Sequence, residues 1–400
     1  MFIMETGNNK LLILGGDTDN NIGDRAILYS MCNEFRKLDS QLSISILSNN
    51  PSRDRVFFGA TAIPRGISHQ PEMLRDARSS NLILIGGGGL FQDDDSLVKM
   101  PYWGIRTALL KAANPKSRIV GYSLGVGPLK RPISRLFARI AFSCMETVSV
   151  RDDLGRQIAS SLTKKPIHLV PDPALMLPSA PEESAIKLLE EHNIPIRNTV
   201  VVGVALRRWF HQKGAIVPHR YAVKYRLRKI PGSRMCEKMT GLLAAVLDRV
   251  ASTYNAVIVF LPTYTVSHEA DDEICRQTMA KMISRKKHIL KIKDPMLYKS
   301  IAGQCSALIG GRMHPTIFAA SAGTNIVGLS YNQKFFGFFK LLDLEANVIS
   351  IEDFVSKEQS EILFKIIAQA IEKRSDIKPR ANRLAERTRS FNQMIIRSLP

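Results

Sequence analysis

The sequence predicts an α/β protein made of two doubly wound parallel-sheet units that face one cleft. Three observations carry this. Short apolar runs, each followed by a stretch of helical spacing, recur from residue 10 onward. The rhythm breaks once, at residues 178–183 (PSAPEE), a linker composition, and then restarts. Polar and charged residues collect just after the apolar runs, where the strand ends of a parallel sheet open a ligand crevice. The expected units are residues 1–177 and 184–345. Residues 346–400 read as C-terminal helices, the final one crossing back over the first unit.

In the first unit, residues 10–15 (KLLILG) give a strand that ends in Gly15-Gly16. Ala26, Ile27, Met31 and Phe35 recur at helical spacing behind a polar loop, and Asp24 is placed to cap that helix. Residues 44–47 and 81–85 are further strands. The latter runs into Gly86-Gly87-Gly88-Gly89, where missing side chains let backbone approach a ligand. Asp93, Asp94 and Asp95 follow at the same sheet edge, either a solvated acidic turn or a cation site. Residues 118–123, 147–150 and 167–170 complete the strands, with a basic amphipathic helix over 135–142. In the second unit the strands are residues 199–206, 256–261, 288–292, 307–309 and 325–329, each followed by a helix.

Composition bounds the function. The 400 residues are 45% hydrophobic and 23% charged, enough for each unit to bury its own core. Five cysteines without a C-x-x-C pair argue against a disulfide framework or zinc site and for a reducing compartment. The polar start of the chain lacks a signal sequence, and no apolar run reaches the roughly 20 residues of a membrane span. A cytoplasmic location is expected. Lys and Arg number 56 against 36 Asp and Glu, a net charge of +20. That excess calls for an anionic partner: a phosphorylated substrate, an anionic membrane surface or nucleic acid. Nucleic acid is the weakest of these, since no recognition motif for it is present. The basic residues are spread widely, and the most unusual stretch is the acid-free one from Arg207 to Arg234, where nine of them are interleaved with Trp209, Phe210, Tyr221 and Tyr225.

The most informative stretch is Gly310-Gly311-Arg312-Met313-His314-Pro315. It joins a buried strand to a helix that tolerates proline in its first turn and closes at Gly323. Arg312 and His314 therefore stand at a strand end and a helix mouth, a place that suits an anion. The plainer reading is a structural turn with a surface arginine and a backbone-satisfied histidine.

Taken in order, the motifs resemble those of the polysaccharide pyruvyl transferase family. They are Asn21-Ile22-Gly23-Asp24, Gly87-Gly88-Gly89-Leu90-Phe91-Gln92-Asp93, Val150-Arg151-Asp152, Pro171-Asp172-Pro173, Ala205-Leu206-Arg207 with Trp209, and Gly311-Arg312-Met313-His314 with Tyr331 and Lys334 behind it. One departure is Ser306, where relatives often carry Asp. The resemblance implies a GT-B-like pair of Rossmann-like domains. It also implies transfer of a pyruvyl group from phosphoenolpyruvate (PEP) to a saccharide of a surface polysaccharide or its lipid-linked precursor. It makes Arg207, Arg312 and Met313 the PEP-binding residues, with Arg208 in reserve, and His314 the proton donor, with Asp93 as the alternative acid. Asn21, Asp24, Gly88, Gly89, Tyr331 and Lys334 would line the acceptor side. No metal or cofactor is expected beyond PEP as donor. Contact with the inner membrane face is expected through the basic loop. Two alternatives from other classes are a nucleotide-sugar glycosyltransferase, with the arginines on a diphosphate, and a non-catalytic basic protein of membrane or nucleic acid.

Overall fold

The computed structural model describes residues 9–398 except 17, 95, 209–233, 267–268 and 374. Two all-parallel sheets carry the chain. The first contains β1 (Lys10–Leu14), β2 (Ser43–Ser48), β3 (Thr61–Pro64), β4 (Leu82–Phe91), β5 (Arg118–Val126), β6 (Thr147–Val150) and β7 (Ile167–Leu169). Its spatial order is β3-β2-β1-β4-β5-β6-β7. The second contains β8 (Val201–Ala205), β9 (Val257–Phe260), β10 (Lys287–Ile289), β11 (Ala307–Gly310), β12 (Asn325–Ser330) and β13 (Val348–Ser350), in the order β10-β9-β8-β11-β12-β13. Central strands are buried on both faces and read as near-continuous apolar runs, as in LLIL of β1 and LILI of β4.

Three local expectations are corrected. The four glycines do not leave the sheet: β4 runs through them to Phe91, with its ladder to β5 shifting between Gly88 and Phe91. Gly86 is required by packing, since a Cβ there would lie 1.8 Å from the Tyr122 carbonyl oxygen. The helix Ile22–Leu38 is capped by Asn21, whose side chain accepts from the Gly23 and Asp24 amides, and not by Asp24. Strands β3 and β13 are additions. Both are short sheet edges, where little burial imposes little pattern.

The two units do not bury wholly separate cores. One apolar cluster takes Leu11, Ile13 and Tyr122 from the first unit with Val201, Val259 and Phe318 from the second. The Ile377–Arg397 helix adds Ile377, Leu384, Phe391 and Ile395 to it. That helix reaches the first unit through Tyr122 Oη to Asn392 Oδ1 (2.6 Å) and Arg389 Nε to Glu34 Oε2 (3.0 Å). The connector between units is tied down as well: Lys299 Nζ donates to the Leu177 carbonyl (2.6 Å) and Ser300 Oγ to that of Ala180 (2.9 Å). No helix among the described residues is long and apolar enough to cross a membrane.

Candidate active site

Strand order reverses at two places, between β1 and β4 and between β8 and β11. In open parallel sheets such switch points hold the ligand crevice, because neighbouring loops there diverge to opposite faces. The first switch point carries Asn21 and Asp24 at the start of the helix after β1, and Gly88 and Gly89 near the end of β4. The second carries Arg207, Arg312 and His314. The two meet: a Cβ on Gly23 would lie 2.0 Å from His314 Nδ1, so backbone of the first unit packs on the imidazole of the second. Only glycine allows this approach.

His314 stands in the first turn of the helix Met313–Ala322, its side chain 17% exposed. Its Nε2 is buried without a hydrogen-bond partner, 3.8 Å from Asp172 Oδ2. Asp172 is held in turn by Arg151, whose Nη1 donates to Oδ2 (3.2 Å), while its Oδ1 accepts from the Ala174 amide (3.0 Å). Burial pulls the His314 imidazole down to about 4, Asp172 opposes, and Arg151 and Arg312 add to the depression. The ring is therefore neutral at pH 7.

Met313 and Lys334 complete the recess, which Arg151, Asp152, Asp172, Phe338 and Leu341 also line. Lys334 is buried and crosses from the second unit to donate to Gln92 Oε1 of the first. Burial brings its ammonium down to about 7; Arg151 adds to this and Asp94 works against it. Four polar atoms in this neighbourhood are buried without a hydrogen-bond partner: Asp94 Oδ1, Arg151 Nε, Asp152 Oδ2 and His314 Nε2, of which Arg151 Nε and Asp152 Oδ2 face each other at 3.8 Å. Native interiors hold few such atoms, so four together mark a place shaped for something else.

Arg312 lives differently. Its Nε and Nη2 grip Asp271 as a two-pronged fork (2.5 and 2.7 Å), and Nη2 also donates to Glu269 Oε2 (2.6 Å). Nη1 has no partner among the described residues. Arg207 lies beside it, Nε 3.6 Å from the same Glu269 oxygen and its guanidinium 4.2 Å from the Tyr331 ring centroid. Burial alone would lower the Arg312 guanidinium; Asp271 and Glu269 outweigh it and hold the group above its ordinary value. Burial raises the Asp271 carboxyl despite Arg312.

The structure thus joins Arg207, Arg312 and Tyr331 in one cluster and Met313 and Lys334 in the adjoining recess, with His314 beside that recess, 3.8 Å from its lining Asp172. Arg208 is half-buried next to Arg207 and joins neither. Asp24 sits against Gly16 and Gly88, its carboxylate 3.5 Å from where a Gly88 Cβ would stand. Gly89 lies beside Gln92, the partner of Lys334. Asp93 has another task. Its two carboxylate oxygens accept from the Lys130 and Arg131 amides (3.1 and 2.9 Å), clamping the loop before the helix Pro132–Cys144. Ser306 is also accounted for: it precedes β11 at the end away from Arg312, its hydroxyl within 3.4 Å of the Val201 amide. The basic aromatic loop lies outside the described residues over 209–233. Sequence reading missed Glu269 and Asp271 as partners of Arg312, although both follow β9 at the same sheet edge. Among the described residues no group of His, Cys, Asp and Glu is arranged to hold a metal.

Solved structures of similar fold include the UDP-GlcNAc 2-epimerase of Methanocaldococcus jannaschii (TM-score 0.61, 11% identity, 97% of this chain and 99% of that one). A glycosyltransferase of Rickettsia africae is similar too (TM-score 0.57, 9% identity, 98% and 97% covered). So is the UDP-GlcNAc 2-epimerase of Neisseria meningitidis bound to UDP-GlcNAc (TM-score 0.55, 11% identity, 98% and 99% covered). At these identities the likeness speaks to the fold, two GT-B-type sheets, and not to the chemistry. A search of curated protein sequences finds no match. The family model for polysaccharide pyruvyl transferase matches residues 21–333, from the Asn21 cap through both switch points, and this chain belongs to that family.

Proposed function

We propose that the recess around His314 is where the pyruvyl group of PEP is joined as a ketal to two hydroxyls of a saccharide. The observation that carries this reading is the cluster of four buried polar atoms without hydrogen-bond partners where the units meet. A small, highly charged donor and a hydroxylic acceptor would supply the missing partners. His314 gives a proton to the methylene carbon of PEP, which makes the neighbouring carbon electrophilic. One sugar hydroxyl adds there, phosphate leaves, and the second hydroxyl closes the ketal. Of the two hydroxyl protons released, one returns to His314 in place of the proton it gave to the new methyl group, and the other departs with phosphate.

Burial holds His314 neutral, so the donor must arm its own acid. The carboxylate and phosphate of PEP raise the ring toward protonation as they enter. Arg312 meets the donor through Nη1, its other nitrogens being fixed by Asp271 and Glu269. Arg207 is the second clamp residue, ahead of Arg208. Asn21, Asp24, Gly88 and Gly89, with Tyr331 and Lys334, form the acceptor side. No step calls for a metal or a further cofactor. The acceptor is a polysaccharide unit or its lipid-linked precursor, reached from the cytoplasmic membrane face.

Thermal shift and phosphate release test this together. PEP should raise the melting temperature where UDP-sugars do not, because a ligand that binds only the native state stabilises it. PEP with a polysaccharide acceptor should release phosphate. Stabilisation by a nucleotide sugar and none by PEP would replace this reading with glycosyl transfer.

A further inference from the structure

Two helices of the first unit break the usual rule for a solvent-facing surface. The helix Lys99–Ala113 and the residue before it expose Val98 (49%), Tyr102 (45%), Ile105 (51%) and Leu109 (50%). Their spacing of three and four residues puts them on one stripe. The helix Pro132–Cys144 adds Ile133 (47%) and Leu136 (48%). The helices touch closely: a Cβ on Gly104 would lie 2.7 Å from the Phe137 carbonyl oxygen. These six are nearly half of the thirteen exposed large hydrophobics among the described residues, so the apolar surface is concentrated here.

Charge singles out the same surface. Residues 96–145 contain no Asp or Glu and nine Lys or Arg. Arg106 and Arg118 are spent internally, on Met73 and Glu146, but Lys116, Lys130 and Arg139 are exposed. Both helices begin at the cleft edge. The amide of Arg131 is bound to Asp93, and Lys99 is close enough to Lys334 to help lower its ammonium.

We propose that this face docks the protein on an anionic lipid bilayer. The apolar stripe enters the headgroup boundary and the flanking cations meet lipid phosphates. A second copy is the poorer occupant, since two copies of a stretch without acids would bring like charges together. Docking in this orientation sets the cleft edge toward the bilayer, where the sugar of a lipid-linked acceptor would stand. The claim concerns the surface alone and does not depend on PEP chemistry.

Co-sedimentation of the full chain with vesicles tests it, comparing phosphatidylcholine containing 30% phosphatidylglycerol (roughly one anionic lipid in three) with phosphatidylcholine alone. The chain should prefer the anionic vesicles and lose them at roughly 0.5 M salt, where charges are screened within a few ångströms. Ile105→Asp with Leu136→Asp should bind at least roughly tenfold more weakly, and Arg139→Glu roughly fivefold. Both should keep wild-type circular dichroism and phosphate release with a soluble acceptor. Should the double variant misfold, Arg139→Glu and the salt titration still decide. Equal binding to both vesicle types, or wild-type binding by the variants, overturns the proposal. So does a dimer in sedimentation velocity that the variants turn into monomer.

Discussion

Arg312 and His314 are two residues apart, yet they occupy opposite kinds of polar surroundings. Arg312 is over-provided: two carboxylates hold its fork, and one of them reaches toward Arg207 as well. His314 is under-provided: its buried Nε2 has no partner and its nearest carboxylate is already engaged by Arg151. A satisfied network fixes geometry; an unsatisfied one leaves a demand that a ligand can meet. The turn from β11 into the following helix therefore carries a residue held by its neighbours and a residue left open to a ligand, two positions apart.

The largest effect expected from this contrast is on stability at Arg312. Arg312→Met leaves Asp271 and Glu269 without their fork and should cost about 3–5 kcal/mol, read by denaturant unfolding. Arg312→Lys keeps the charge but not the fork and should fall between. A loss below about 1 kcal/mol in Arg312→Met would show that the network is not structural and erase the contrast.

At His314 the effect should fall on turnover instead. His314→Gln can hydrogen-bond but not deliver a proton. It should lose roughly a hundredfold in phosphate release, about 3 kcal/mol of barrier, while keeping most of its PEP affinity. Near-normal turnover would remove the acid role from this residue. His314 also leaves a trace in the pH dependence of stability. Its folded value of about 4 lies below the ordinary 6.5, so the unfolded chain takes up the proton first. Stability should drop as pH falls from 6.5 toward 4, and that part of the slope should vanish in His314→Gln.

The smallest effect sharpens the comparison at Lys334. Its folded value of about 7 lies below the ordinary 10.5. Between these two values the unfolded state binds the extra proton, so stability contributed by this site rises with pH across that window. Wild type should gain on Lys334→Met from pH 7 to 10, by melting temperature, and show no relative change below 7. A constant difference over the whole range would mean that the ammonium stays charged in the fold.

Much of the fold was legible because buried parallel strands must be apolar on both faces, and runs such as TVVVGVAL or LILI have few other uses. The edge strand TAIP has one face half-wet and a proline at its end, so its pattern was silent. The strand-end position of Arg312 and His314 was readable from the order of strand, glycines and proline. Their surroundings were not. Asp271 is 41 residues from Arg312 in sequence, and only the placing of β9 and β11 on either side of β8 brings it into reach. The contact of Gly23 with His314 joins different sheets, and no periodicity in either stretch encodes it. At Asp93 the amide contacts were not legible, because a carboxylate that clamps backbone amides looks the same in sequence as one that faces a substrate.

The Ile377–Arg397 helix follows all thirteen strands in the chain, yet it packs on the first sheet, with Asn392 on Tyr122 of β5 and Arg389 on Glu34. During synthesis the first unit therefore leaves the ribosome with one side of its core bare. Tyr122, which meets Phe391 and Asn392 of that helix, stays without this cover until the whole second unit has been made. The chain then passes between units a second time and closes the first. Shortening the protein ahead of residue 377 should harm the distant first sheet more than the adjacent second one, and a chaperone would find its client surface on the part of the chain that was made first.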